Sequence, residues 1–176
     1  ANNANVTDDN DNKNEEQKTY ESKIITVDTT APIVTVSYDN NRVVNEKYFN
    51  AARKATITVE EHNFFPQDIV SVFTAVDVNN NPVDVENYAA KLTEINNWHK
   101  EGNTYTTELA YTVDANYTFS FDYTDKSDNK MEFSYAEDAV ATEEFTVDTV
   151  KPEITLSTSI PIVYRILNAL TFGIFN

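Results

Sequence analysis

Hydrophobic and polar residues alternate along much of this chain, and the alternation predicts β-strands. Ala55, Ile57 and Val59 share one face of residues 55–60, while Thr56, Thr58 and Glu60 share the other, because successive side chains of a strand point to opposite sides. Residues 103–112 alternate too, with Tyr105, Thr107, Leu109 and Tyr111 on one side. The clearest run sets Tyr117, Phe119, Phe121 and Tyr123 against Thr118, Ser120, Asp122 and Thr124. Further strands are expected at 33–38, 69–76 and 143–147, with an extended, edge-like piece over 42–49. The expected core comprises Tyr117, Phe119, Phe121, Ile57, Val59 and Val72. Asn- and Asp-rich clusters at 39–41, 79–82 and 125–130 separate these runs; both residues bond their own main chain and tolerate left-handed backbone. Residues 83–98 are ambiguous, with Tyr88, Leu92 and Ile95 falling on one face of a short helix, and residues 131–142 show no clear period.

One phrase occurs twice. Thr26-Val27-Asp28-Thr29-Thr30-Ala31-Pro32 returns as Thr146-Val147-Asp148-Thr149-Val150-Lys151-Pro152, and both copies lead into strand-like sequence. Val27 and Val147 are 147 − 27 = 120 residues apart, an ordinary domain length. A repeated junction implies a repeated module. By this alignment residues 24–27 match 144–147 and form the last strand of a preceding module, and each proline stiffens the crossing to the next. The chain then divides into an acidic linker with that last strand (1–31), a sandwich (32–150) and the start of a following module (151–176). About seven strands with turn signals between them fit an all-β, immunoglobulin-like antiparallel β-sandwich.

Composition narrows the setting. A net charge of -16 repels a phosphate backbone and excludes nucleic acid as a partner. With no cysteine in the chain, neither a disulfide scaffold nor a thiolate metal site is available. Residues 1–23 are polar, acidic and without hydrophobic period, as a flexible segment is; Asp8, Asp9 and Asp11 lack the spacing of a helix-loop-helix calcium loop. No signal peptide opens the chain, which is the expectation for a piece of a longer precursor. The apolar run 160–175 contains Arg165 and Pro161 and falls short of the ~20 residues of a membrane span. It reads as a short amphipathic helix outside the sandwich, and no membrane contact is expected.

Several of these segments also resemble a known family. Asp28-Thr29-Thr30-Ala31-Pro32 entering Val34-Thr35-Val36-Ser37-Tyr38-Asp39-Asn40, the stretch from Tyr48-Phe49-Asn50 through Glu61-His62-Asn63-Phe64, and Asn116-Tyr117-Thr118-Phe119-Ser120-Phe121-Asp122-Tyr123-Thr124-Asp125 followed by Asp128-Asn129-Lys130 resemble the bacterial Ig-like repeats of large Gram-positive surface proteins. Ile166-Leu167-Asn168-Ala169-Leu170-Thr171-Phe172-Gly173-Ile174-Phe175 is similar to an opening segment of neighbouring repeats. The resemblance covers residues 24–176. It implies the fold and an extracellular place on a bacterial cell surface or cell wall. It implies no activity, since such repeats act as spacers, stalks or adhesive modules. Glycines usual at two late turns are replaced here by Ala115 and Asp128, which bears chiefly on the turn at Ala115. The resemblance also admits a Lys–Asn isopeptide crosslink, with Lys54 and Lys130 as the lysines.

Candidate chemistry is sparse. His62 and His99 are the only histidines, too few to build a zinc site without cysteine. Glu60 and Glu61 are adjacent on a strand and point to opposite faces, so they cannot share a proton. No nucleophile, base and orienting group assemble, and a non-enzymatic module is expected. Trp98 with Tyr88 or Tyr105 is the candidate sugar-stacking platform; the competing expectation is that Trp98 fills one end of the core. Asp122, Asp125 and Asp128, with Asp114 near them, are candidate calcium ligands; the competing reading is a turn whose carboxylates bind main-chain donors. Tyr117 is placed to form a tyrosine-corner bond. The expected partners are adjacent modules of the same chain, with a glycan or host surface protein as the alternative.

Overall fold

A computed structural model describes residues 27–155. The expected preceding-module strand, apart from Val27, and the expected C-terminal helix lie outside the described residues. Nine strands are described: β1 (Ile33–Tyr38), β2 (Tyr48–Phe49), β3 (Arg53–Glu60), β4 (Val70–Val76), β5 (His99–Glu101), β6 (Thr104–Tyr111), β7 (Ala115–Asp122), β8 (Glu132–Tyr135) and β9 (Glu144–Val147). A short helix, α1 (Tyr88–Thr93), lies between β4 and β5. The strands form two sheets of order β5-β6-β3-β1-β8 and β2-β9-β7-β4, packed as an all-β sandwich.

The alternation read along β3, β6 and β7 sets the register. Val34 lies opposite Val59, Val36 opposite Ile57 and Tyr38 opposite Ala55, and these continue into Tyr105, Thr107 and Leu109 of β6. All of these residues are buried. Thr35, Thr58 and Thr106 occupy the other face in the same register. A one-residue slip would move the entire apolar set into water, so burial fixes this pairing. In the second sheet Tyr117 pairs with Phe145 and Ala115 with Val147, all four buried.

Two expectations about the sheets are corrected. The sheets are mixed rather than purely antiparallel, because β8 joins β1 and β9 joins β2 in parallel. Parallel neighbours require long connections, and these neighbours are separated by most of the module. The described strands also exceed the expected seven, because β5 and β8 are short edge strands of three and four residues, too brief to show a period; the expected edge-like piece over 42–49 is reduced to β2, two residues long. Such short edges offer little template for unwanted pairing.

Val72 is not in the core. It is 56% exposed, because β4 pairs Phe73 with Phe119 and Ser71 with Phe121, turning Ser71, Phe73 and Ala75 inward. Val70, Val72 and Thr74 face solvent on the same strand. Phe73 instead packs on Phe119 at a ring separation of 5.0 Å. In α1, Tyr88 and Leu92 are buried four residues apart, as a helical face requires. Asn87 caps it by accepting from the Ala90 N–H at 3.0 Å. Ile95, expected on the same face, lies past the helix end in a single 3-10 turn and is half exposed. Asp128 takes a left-handed φ of 67°, so an aspartate serves where a glycine is usual. Ala115 begins β7 as a buried strand residue and its position needs no glycine.

Candidate functional site

The residues that organise this module lie at its two ends, and both ends are built around β7. Asp114 immediately precedes β7, and the turn of residues 125–130 follows it. Its eight residues cover roughly 24 Å from first to last at ~3.4 Å per residue.

The incoming linker is held at the far end of β7. Asn129 Nδ2 donates to the Asp28 carbonyl at 3.2 Å, and the Glu132 N–H donates to the Pro32 carbonyl at 2.7 Å. Asp125 orients that turn: it accepts from the N–H groups of Ser127 and Asn129 and from Asn129 Nδ2, each at 2.8 Å. Burial pushes the Asp125 carboxyl up, but these donors together outweigh it and hold its pKa below the ordinary carboxylate value. The outgoing linker is held at the near end. Asp114 Oδ1 accepts from the Thr149 N–H at 3.0 Å and from its hydroxyl at 2.8 Å. Asp114 is therefore at the opposite end of β7 from Asp122, Asp125 and Asp128, not beside them as expected.

The repeated phrase adopts the same local bond at both positions. Asp28 Oδ1 accepts from the Thr30 N–H at 3.1 Å, and Asp148 Oδ1 accepts from the Val150 N–H at 3.3 Å. Each is a side-chain turn spanning two residues. The valines before them differ: Val147 is buried in β9, whereas Val27 is 82% exposed.

At the outgoing end sits Arg53, 1% exposed. Its guanidinium carbon lies 3.6 Å from the Tyr38 ring centre, 4.2 Å from Phe49 and 4.6 Å from Phe145, within cation–π range of all three. It donates from Nε to the Asn40 carbonyl at 3.0 Å and from Nη1 to the Ala141 carbonyl at 2.8 Å. Nη2 donates to the Val140 carbonyl and to Asn41 Oδ1. Among the described residues it forms no ion pair. Burial pulls its pKa down from the ordinary value, yet a guanidinium remains charged at neutral pH. The carbonyls and rings thus take the place of a carboxylate. They include Ala141, whose left-handed φ of 46° is strained for an alanine. Sequence reasoning missed this residue, although the signal was present: Arg53 is one period upstream of Ala55 on the inward face of β3.

The candidate sugar platform is interior. Trp98, Tyr88 and Tyr105 are 7%, 3% and 5% exposed. Trp98 Nε1 donates to the Leu92 carbonyl at 2.8 Å, and its ring meets Phe64 edge-on at 4.8 Å. Phe64 also packs on Tyr105 and Tyr123, and Tyr88 donates to the Ala110 carbonyl at 2.7 Å. These rings close the incoming end and one flank of the sandwich.

Among the described residues, no three His, Cys, Asp or Glu side chains come together as a metal site. Asp122 is exposed on the outer face of β7, and Asp128 lies exposed in the turn. Glu61 is buried and accepts from the Asn63 N–H at 2.8 Å, while Glu60 and His62 are exposed. Lys54 pairs with Glu108 at 2.7 Å on the outer face of the first sheet. Lys130 is exposed beside the 125–130 turn. Tyr117 donates to the Val113 carbonyl at 2.8 Å, a bond from the start of its strand back to the preceding turn.

Compared with known proteins, the chain matches no family model, no curated protein and no solved structure.

Proposed function

We propose that this chain is a non-catalytic, extracellular, Ig-like module that acts as a spacer, stalk or adhesive unit of a bacterial surface protein, with adjacent modules of the same chain as its partners. The observation that carries this reading is the opposed placement of the linkers. Asp28 is bound at one end of β7 and Thr149 at the other, so the polypeptide arrives at one end of the sandwich and leaves from the opposite end. A module of this form adds its own length to a chain of modules. Both junctions are hydrogen-bonded to the body by side chains, which makes each a defined direction rather than a swivel. A net charge of -16 favours separation between neighbouring copies. The sugar-platform alternative draws no support from the burial of Trp98, Tyr88 and Tyr105.

Pulling the full chain by its two termini in a force instrument tests the reading. A spacer resists as one unit and releases in a single step, with residues 27–150 yielding ~400 Å of new contour length. Gradual extension without a discrete step would remove the mechanical basis of the proposal.

A further inference from the structure

Three edges of the two sheets are short strands; the fourth, β4, is not. It spans seven residues, Val70–Val76, lies at the end of its sheet and contains neither a charged residue nor a proline. Sheets ordinarily blunt a long edge with charge, proline or a bulge, and the unbroken register of β4 with β7 holds no bulge. Two bonds at the outgoing end show which way its main chain points. The Ala75 carbonyl accepts from the Val83 N–H at 2.9 Å, and the Asp77 N–H donates to the Asn81 carbonyl at 2.9 Å. Odd-numbered residues of β4 therefore turn their N–H and C=O away from β7, because both groups of one residue point to the same side of an antiparallel strand and successive residues alternate. Ser71 and Phe73 belong to that set, and among the described residues their main-chain groups meet no partner. Their side chains are only half-buried, whereas their β7 neighbours Phe121 and Phe119 are buried. α1 leaves this edge open: Tyr88 meets the Phe73 ring at 5.4 Å from the interior, and among the described residues no main-chain bond ties α1 to β4.

We propose that β4 pairs edge to edge with β4 of a second copy of this chain, antiparallel and about a two-fold axis at Val72. The free groups fix this register. Ser71 and Phe73 of one copy face Phe73 and Ser71 of the other, each pair exchanging both its N–H···O bonds. Val72 lies opposite Val72 of the second copy in a non-hydrogen-bonded pair, where side chains come closest. Val70 falls opposite Thr74, and the pairing stops there, since the Ala75 carbonyl is taken by Val83 and the chain before Val70 turns off through the 3-10 turn Pro66–Asp68. The outer-face side chains brought together, Val70, Val72 and Thr74, are exposed and neutral. The contact thus sets no like charges against each other, even in a chain of net charge -16. That neutrality favours a second copy over a basic peptide, which nothing along this edge would recognise. Both linkers stay free, because β4 runs along the flank between the two ends. Antiparallel pairing also makes the two modules point in opposite directions. Chains anchored on one surface point the same way, so the pairing joins chains from facing surfaces; this consequence alone rests on the surface-module reading.

The full chain has no cysteine, so single substitutions report the register. Val72→Cys places two thiol-bearing residues with Cα atoms ~4.5 Å apart, within disulfide reach. Val70→Cys places them ~14 Å apart, four strand residues along, although Val70 is the more exposed position, 66% against 56%. Under mild oxidation, Val72→Cys is predicted to form the disulfide-linked dimer ~10-fold faster than Val70→Cys, whereas random collision favours Val70. Sedimentation equilibrium of the unsubstituted chain avoids thiols. So small a contact gives a Kd of ~1 mM, read as a weight-average mass ~1.5-fold that of the single chain at ~1 mM. Val72→Lys, which sets like charges opposite each other, is predicted to return the mass to the single-chain value. Val78→Lys, the same charge change away from β4, keeps the dimer. Equal oxidation rates at the two cysteine positions, a single-chain mass at ~1 mM, or association indifferent to Val72→Lys would overturn the inference. None of these outcomes moves the two linkers relative to one another, so the spacer reading stands or falls separately, by its force experiment.

Discussion

The two ends of the sandwich are closed by different physical means. At the incoming end Phe64, Trp98, Tyr105 and Tyr123 pack as neutral rings, and two of the three polar tips of that group meet single partners, Trp98 the Leu92 carbonyl and Tyr123 the Phe65 N–H. At the outgoing end Tyr38, Phe49 and Phe145 surround a buried cation, and Tyr111 and Tyr117 pack on Phe145. Rings at the first end exclude water and little more. At the second they also hold Arg53, which gathers three backbone carbonyls from two loops. The aromatic cluster tolerates local repacking, because dispersion and area burial are not directional. The cation does not, because each part-buried carbonyl it releases loses its donor. The outgoing end is accordingly the more specified of the two.

The largest expected effect follows from this contrast. Arg53→Ala should cost ~3–5 kcal/mol in urea unfolding, from lost packing and orphaned carbonyls together. Arg53→Lys should recover less than half of it, since an ammonium cannot present the planar fork. High salt should leave these losses unchanged, because the site is buried. Trp98→Phe at the other end should cost less, ~1–3 kcal/mol, for one hydrogen bond and a partial void. A Trp98→Phe loss exceeding that of Arg53→Ala would reverse the comparison.

Smaller effects distinguish the turns. Asp125→Ala should cost ~1–2 kcal/mol at neutral pH, the scale of losing a side-chain cap. Because the folded pKa of Asp125 is held below its ordinary value, its contribution is complete above ~pH 5. It declines as pH falls through ~3.9 toward the depressed value, where the folded form also takes up the proton. The stability gap between wild type and Asp125→Ala should therefore narrow on acidification, measured by urea melts at stepped pH; a constant gap would place the contribution elsewhere. The smallest effect is expected at Tyr111, whose buried hydroxyl has no partner among the described residues. Tyr111→Phe should be neutral or stabilising by up to ~1 kcal/mol, whereas Tyr38→Phe, which loses a 2.7 Å bond to the Thr142 carbonyl, should destabilise by about the same amount.

What could be read in advance depended on range. The faces of β3, β6 and β7 were legible because each strand carries its own period. Val72 misled because β4 has valines on its outer face, and only pairing with Phe119 and Phe121 decides which side is in. Arg53 was missed because a charged residue at the end of a strand is usually solvated; its burial depends on the loop of residues 140–142, far along the chain. The pins on the linkers join residues 35 and 101 positions apart and leave no local pattern. The turn at Asp128 was legible, because an Asp-rich cluster carries its own chemistry. Edge strands β5 and β8 were not, since three or four residues show too little alternation, and the parallel partner of β8 is distant in sequence.

The central claim is that the chain enters and leaves at opposite ends of one folded unit. Spin labels at Thr30→Cys and Val150→Cys test it directly in the full chain, which has no other thiol. The account predicts a narrow distance distribution centred at roughly 30 Å or more, the length of β7 with its flanking turns. A distribution centred below about 20 Å, the span of only some six strand residues, would place both linkers at the same end and contradict it.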